Sequence, residues 1–436
     1  MAFKILSLDG GGSWAMIQAR VLKDLYGDIG GHDLLKKFDL AIANSGGSLV
    51  LACLCCNIKL SDIISIFKTQ DDRERVFSAL TAGEKIENGI AALRFILDMG
   101  PKYSTERKYS GLVDVLAEKQ VPKPAKGGKP IVEMFLDEIP AVIGKPELQL
   151  IIVGYDYFRR RANFFRSKPG SKTNQFGGTP FRVSLASAIH CSSNAPVNYF
   201  DVPATIIMSS AAGDDERSNW FWDGAISGFN NPVLAGVTEA LTNDIKPEDM
   251  RVLALGTATG DKTIITDYGT STKAAIKAIY DANLDNTDLT VTDHSFSFAH
   301  DIKELATSIL GDPPDTDTFI AYSIMHPALP AEGNLVRINP CMAAVLDPAS
   351  KRYVPPAVYN ADPNSRADFV KLLQLDMDAV QKDEVDLIAG LCDKFIVESG
   401  PCVQNQLIRG TPDTKHLGYL TYADAKNRWK IVEALP

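Results

Sequence analysis

The stretch FKILSLDGGGSW, residues 3–14, decides how the rest of the chain is read. Phe3, Ile5, Leu6 and Leu8 form an apolar run expected of a buried strand, and Asp9 with three consecutive glycines cuts it off. Residues 15–26 then carry the pattern of a helix. A strand, a glycine run and a helix N-terminus leave backbone N–H groups with no intrahelical partner. Glycines let such a loop close around an atom that a Cβ would exclude, so the stretch suits a phosphate or a reaction oxyanion. A tight strand-to-helix connection with no ligand weighs evenly against that at this point.

Working outward, KKFDLAIANSGGSLVLACLCC, residues 36–56, repeats the same grammar: a strand over 38–43, a sharp turn, and a helix from Gly46. Ser45 falls at the corner, with Ala43 two residues before it and Gly47 two after. This is a G-x-S-x-G nucleophile elbow whose first glycine is alanine. Ser48 is a second hydroxyl one turn inside the helix, and the plain alternative makes Ser45 a helix N-cap. Farther on, residues 148–157 read as a strand with 159–166 as its hairpin partner. Residues 183–200 form a small-residue helix ending in the turn Ser193-Asn194-Ala195-Pro196. Trp220 to Trp222 form a bulky strand closed by the turn Asp223-Gly224-Ala225. A carboxylate at the carboxyl end of a strand in the same sheet can reach the elbow, although aspartates are common in turns for their own sake. Residues 250–260 make another buried strand, and 334–339 a short one. Helices are expected over 61–99, around 272–283 and 297–310, and through the last hundred residues; 119–130 is a basic Pro/Gly-rich loop.

The bulk numbers narrow the class. With 436 residues, 45% hydrophobic and 23% charged, the chain is globular and long enough for a large core. A net charge of −9 argues against a nucleic-acid polymer as partner. Seven cysteines without CxxC spacing, three of them at Cys53, Cys55 and Cys56 in one apolar run, read as buried thiols in a reducing cytoplasm. No leader pattern and no apolar run of about 18 residues is present, so a cytoplasmic protein is expected.

Taken together, these pieces resemble the patatin-like phospholipase family. The resemblance rests on Asp9-Gly10-Gly11-Gly12, Asn44-Ser45-Gly46-Gly47-Ser48 and Asp223-Gly224-Ala225, in that order. It is supported by Ser193-Asn194-Ala195-Pro196 with Tyr199-Phe200, Asn230-Asn231-Pro232, Leu255-Gly256-Thr257 and Leu375-Asp376-Met377-Asp378. Trp14 and Ala15 stand where the family commonly has arginine and glycine, so a cation beside the reacting oxygens is expected to be missing. Ala225 stands for the last glycine of a D-G-G turn, and His190 for a frequent arginine.

What the resemblance implies is an α/β fold, a patatin-like three-layer sandwich with a mostly parallel sheet, plus a C-terminal helical extension. The catalytic domain is expected over 1–340 and the helical region over 341–436. It implies Ser45 as nucleophile, Asp223 as general base, and the N–H groups of Gly10, Gly11, Gly12 and Gly46 as oxyanion donors, with no metal or cofactor. The implied substrate is a membrane glycerophospholipid met at the membrane surface. Some bacterial members are antiphage effectors, which adds a cyclic nucleotide as a conceivable activator; oligomeric state stays open. Two competing readings are weaker. A Ser-acid-His triad would need His300, His326 or His416, none in a strand-end turn. A nucleotide or phosphate-binding module would need a P-loop lysine that GGGSWAM lacks.

Overall fold

The computed structural model describes residues 2–81, 83–84, 100–124, 127–168, 181–210, 216–258, 313–330, 332–342, 345–346, 353–403 and 418–436. The expected helices around 272–283 and 297–310, and the helical pattern over 86–99, lie outside the described residues.

The nine strands of the main sheet are β1 Phe3–Leu8, β2 Leu40–Ala43, β3 Gln149–Asp156, β4 Arg161–Arg166, β5 Phe181–Arg182, β6 Ala204–Ser210, β7 Glu216–Asp223, β8 Met250–Leu255 and β9 Leu335–Ile338. They run in the order β5-β6-β7-β3-β2-β1-β8-β9, with β4 also on β3. The five strands from β3 to β9 pair in parallel. The β4 to β7 group is antiparallel.

Alternation along the parallel strands divides the core into two. Leu6, Leu8, Ala41, Ala43, Leu150 and Ile152 face one set of helices, whereas Ile5, Leu40, Ile42, Ile151 and Val153 face the other. Burial on both faces is why these strands read as continuous apolar runs, and the result is three layers. The second layer holds the Val233–Thr242 and Pro313–Met325 helices. The first holds Met16–Tyr26 and Ser45–Cys55, together with the C-terminal helices Lys382–Val397 and Tyr422–Ala434. Trp429 of the last helix stacks on Phe38 with ring centroids 6.3 Å apart, so the C-terminal region buries its apolar side in the same core.

Registers on β3 set up the site. Ala43, the last residue of β2, pairs with Ile152, and Asp223, the last residue of β7, pairs with Gly154. Because β4 occupies the opposite side of β3 from Ile151 to Asp156, β7 enters on the β2 side just beyond the end of β2. The two carboxyl ends therefore meet head-on, two β3 residues apart, or roughly 7 Å along the strand.

Two local expectations change. The first helix starts with a 3-10 turn, Gly12–Ala15, before Met16–Tyr26. The helix expected from 61 onward is two helices, Leu60–Lys68 and Gln70–Val76, because Thr69 is extended at ψ 119° and begins a new helix with Asp71 and Asp72 in its first turn. Among the described residues no helix is long and apolar enough to cross a membrane.

Candidate active site

Ser45 occupies the turn between β2 and the Ser45–Cys55 helix with a φ of 46°, a left-handed value that costs a non-glycine residue about 1 kcal/mol or more. The N-cap is Asn44, and no side chain caps the helix, so the capping reading of Ser45 does not hold. The turn survives because its surroundings fix it. The Ser45 N–H donates to Ser192 Oγ at 2.9 Å. A Cβ on Gly46 would stand 2.5 Å from the Gly12 carbonyl oxygen, so elbow and glycine loop interlock with no room for a larger residue. Ser48 Oγ donates to the Ser45 carbonyl at 2.6 Å and is buried, which makes it part of the turn and not a second nucleophile.

Asp223 is buried, while Ser45 is half-buried and faces the cleft. The Ser45 side chain lies beside the Asp223 carboxylate and helps lower its pKa. Asp223 Oδ1 also accepts from Ala225 N–H at 2.9 Å and Asn44 Nδ2 at 3.1 Å, and its own N–H donates to the Asn194 carbonyl at 3.0 Å. Burial raises the Asp223 carboxyl above the ordinary carboxylate value, opposed in turn by Ala225 N–H, Ser45, Asn44 and the charge of Lys108. A raised carboxylate is the stronger base, and the donors keep its charge placed.

The glycine loop departs from expectation at its first member. Gly10 N–H donates to the Asn230 carbonyl at 2.8 Å, and the Gly10 carbonyl accepts from Thr257 Oγ1 at 2.6 Å. Gly10 is thus anchored through both peptide groups and is removed from the set of oxyanion donors. The Asn230-Asn231-Pro232 and Leu255-Gly256-Thr257 motifs supply those anchors. Asp9 adds a bidentate pair with Arg337, at 3.0 and 2.6 Å. Among the described residues nothing accepts from the N–H groups of Gly11, Gly12 or Gly46. Gly12 and Gly46 line the cleft with Ser45.

That cleft is open to solvent and spans about 410 Å³. Its walls include Phe77, Tyr199, Phe200 and Met377. Met377 comes from the Leu375-Asp376-Met377-Asp378 loop, which docks through Ser13 N–H to the Met377 carbonyl (3.0 Å) and Trp14 Nε1 to the Asp376 carbonyl (3.0 Å). Trp14 therefore serves as a buried strut for that loop. A second chamber of about 480 Å³ adjoins the cleft through Leu49, Val76 and Phe77. Apart from Ser13, Asp72 and Arg73 it is lined by apolar residues such as Cys53, Phe67 and Leu112.

Sequence reasoning missed Lys108. It is fully buried in the Thr105–Lys119 helix and lines the cleft. Its Nζ donates to the His190 carbonyl and to Asn194 Oδ1, both at 2.8 Å, and lies 4.2 Å from the Phe200 ring centroid. Burial pushes it well below the usual lysine range, while the Asp223 field pulls the other way. The signal was available: Lys108 precedes Leu112, Val115 and Leu116 by four, seven and eight residues, which puts it on the buried stripe. Ser192, which holds the Ser45 N–H, carried no comparable signal. Of the histidines proposed for a triad, His326 accepts from Asn334 N–H at 2.8 Å and packs at a tilt against Tyr322; His300 and His416 lie outside the described residues.

A model of the patatin-like phospholipase family matches residues 6–237. The chain belongs to the patatin-like phospholipase family. Among solved structures, VipD from Legionella pneumophila matches with a TM-score of 0.32 and 14% identity, over 90% of this chain and 67% of that one. No curated protein matches. Family membership supports a lipid hydrolase, and the matched segment contains the glycine loop, the elbow and Asp223. Within this patatin-like site, Gly12 leaves no room for a side chain. Its φ is 56°, and a Cβ there would stand 2.2 Å from the Met377 carbonyl oxygen. Gly12→Ala is expected to destabilise the protein by about 2 to 4 kcal/mol and to impair hydrolysis together with it, which a denaturant melt and an esterase assay on the same preparation would measure.

Proposed function

We propose that the protein hydrolyses acyl esters of glycerophospholipids through a Ser45–Asp223 dyad. The observation that carries this is a strained, cleft-facing Ser45 at the end of β2, set against the buried Asp223 at the end of β7 where the two strand ends meet on β3. Asp223 takes the Ser45 proton as Oγ attacks the ester carbonyl, and the negative charge develops on the carbonyl oxygen. The N–H groups of Gly11, Gly12 and Gly46 are the donors for that charge, each contributing about 3 kcal/mol to transition-state binding. The proton held by Asp223 passes to the leaving lysophospholipid oxygen, leaving an acyl-Ser45 ester. Water then attacks that ester, Asp223 receives its proton, and collapse of the second tetrahedral species returns the proton to Ser45 with release of fatty acid. The adjoining apolar chamber suits the acyl chain, whose burial there is favourable by about 0.8 kcal/mol per methylene.

A fluorophosphonate probe tests the nucleophile, since it phosphonylates only an activated serine. Labelling is expected on Ser45, located by peptide mass spectrometry, and its loss is expected in Asp223→Asn. Labelling of Ser45→Ala at the wild-type rate would move the nucleophile elsewhere. A phospholipid with a labelled acyl chain tests the substrate: release of free fatty acid is expected, and release of a phosphorylated headgroup instead would overturn the reading.

A further inference from the structure

Beyond the carboxyl end of β3, the turn to β4 and the adjacent part of β7 carry exposed aromatic side chains. Tyr157, Phe158 and Trp220 are 43%, 61% and 40% exposed, yet they pack on one another with ring centroids 5.1 to 5.6 Å apart. Three consecutive arginines follow, Arg159 and Arg160 in the same turn and Arg161 at the start of β4, all exposed. We propose that this aromatic and arginine tip is the surface by which the protein docks on an anionic phospholipid bilayer.

Tip and nucleophile share one edge of the sheet. The register places Ser45 near the level of Gly154, and Tyr157 lies three residues farther along the strand, so the tip stands about 10 Å beyond the nucleophile. Trp220 and Trp222 lie on the same side of β7, and Trp222 packs against the cluster of Tyr103 and Phe200 beside the cleft. Ile207, 62% exposed, extends that side onto β6, where it pairs with Ser218.

The tip is held rigid. Buried Asp156 accepts the N–H groups of Phe158 and Arg159 at Oδ1 (3.0 and 2.9 Å) and Asn219 Nδ2 at Oδ2 (2.8 Å). Its only described pairing with the arginines is a 3.8 Å contact to Arg159, which is itself 68% exposed. A pre-set aromatic cluster loses little entropy on insertion, and Trp and Tyr favour the headgroup level of a bilayer. The clustered cations settle the lipid class. On a chain of net charge −9, a local run of three arginines is complementary to anionic headgroups.

This inference rests on the lipid-hydrolase reading for its meaning, and its test does not require catalysis. Flotation of full-length Ser45→Ala protein with vesicles of phosphatidylglycerol and phosphatidylcholine, against phosphatidylcholine alone, is the measurement. Binding is expected to favour the anionic vesicles, to weaken at least about tenfold in Phe158→Ser/Trp220→Ser, and to lose its anionic preference in Arg159→Gln/Arg160→Gln/Arg161→Gln. In the Ser45-bearing versions of both variants, turnover of a water-soluble short-chain ester is expected to match the parent, which reports folding. Flotation of both variants at the parent level, or no flotation of the parent, overturns the docking surface. Flotation as expected with no ester turnover in any form would overturn the hydrolase and leave the docking surface standing.

Discussion

Ser45→Ala is expected to lower phospholipid hydrolysis by at least about 10⁴-fold, with a melting temperature within a few degrees of the parent. The loss is large because in the proposed mechanism every covalent step passes through the Ser45 oxygen, whereas the fold depends on its backbone. Alanine keeps the N–H that donates to Ser192 and tolerates the φ of 46° no worse than serine. Asp223→Asn is expected to match this loss, since a carboxamide cannot take the Ser45 proton. It also sets an amide where Oδ1 now accepts Ala225 N–H and Asn44 Nδ2. The double variant is expected to be no worse than either single one, because the two groups act on one proton transfer. Fatty-acid release measured under single-turnover conditions checks all three. Retention of more than about one hundredth of the parent rate in Ser45→Ala exceeds what a vacated nucleophile allows.

Lys108→Met is the second large effect. Methionine fills much the same volume but leaves the His190 carbonyl and Asn194 Oδ1 without their 2.8 Å donor, at about 1 to 3 kcal/mol for each buried acceptor. The Asn194 carbonyl holds the Asp223 N–H, and the Lys108 charge lowers the Asp223 pKa, so the damage reaches the base along two routes. Turnover is expected to fall roughly 10- to 100-fold, in kcat more than in KM. The pH profile separates electrostatics from mere loosening. The proposed mechanism requires ionised Asp223, whose carboxyl burial raises above the ordinary value, so the acid limb of kcat/KM is expected above the ordinary carboxylate range. Removing a nearby positive charge disfavours the carboxylate further, and the limb is expected to move to higher pH in Lys108→Met. A limb that stays in place while the rate falls would assign Lys108 a purely structural part.

Lys108 also changes the account of Trp14. The family's arginine after the glycines is absent, and Trp14 turns inward to brace the Asp376-Met377 loop. The cleft still has a lysine, contributed from a helix more than ninety residues later and set beside Asp223, although burial disfavours its charged form.

What the chain determines by itself is local. The run FKILSL followed by glycines, the corner at Ser45 and the turn at Asp223 each declare a strand end, because period, burial and turn chemistry act over a few residues. Their order identifies the family, and with it the pairing of Ser45 and Asp223 as an expectation. Tertiary structure decides which of the exposed backbone groups remain available. Gly10, Gly11 and Gly12 are indistinguishable in sequence, yet only Gly10 spends its N–H on a carbonyl, that of Asn230, 220 residues away in the chain. The meeting of β2 and β7 along β3, the burial of Lys108 against Asn194, and the projection of the aromatic tip past the cleft follow from strand register and helix packing. These are sums over contacts remote in sequence, and no local pattern encodes them.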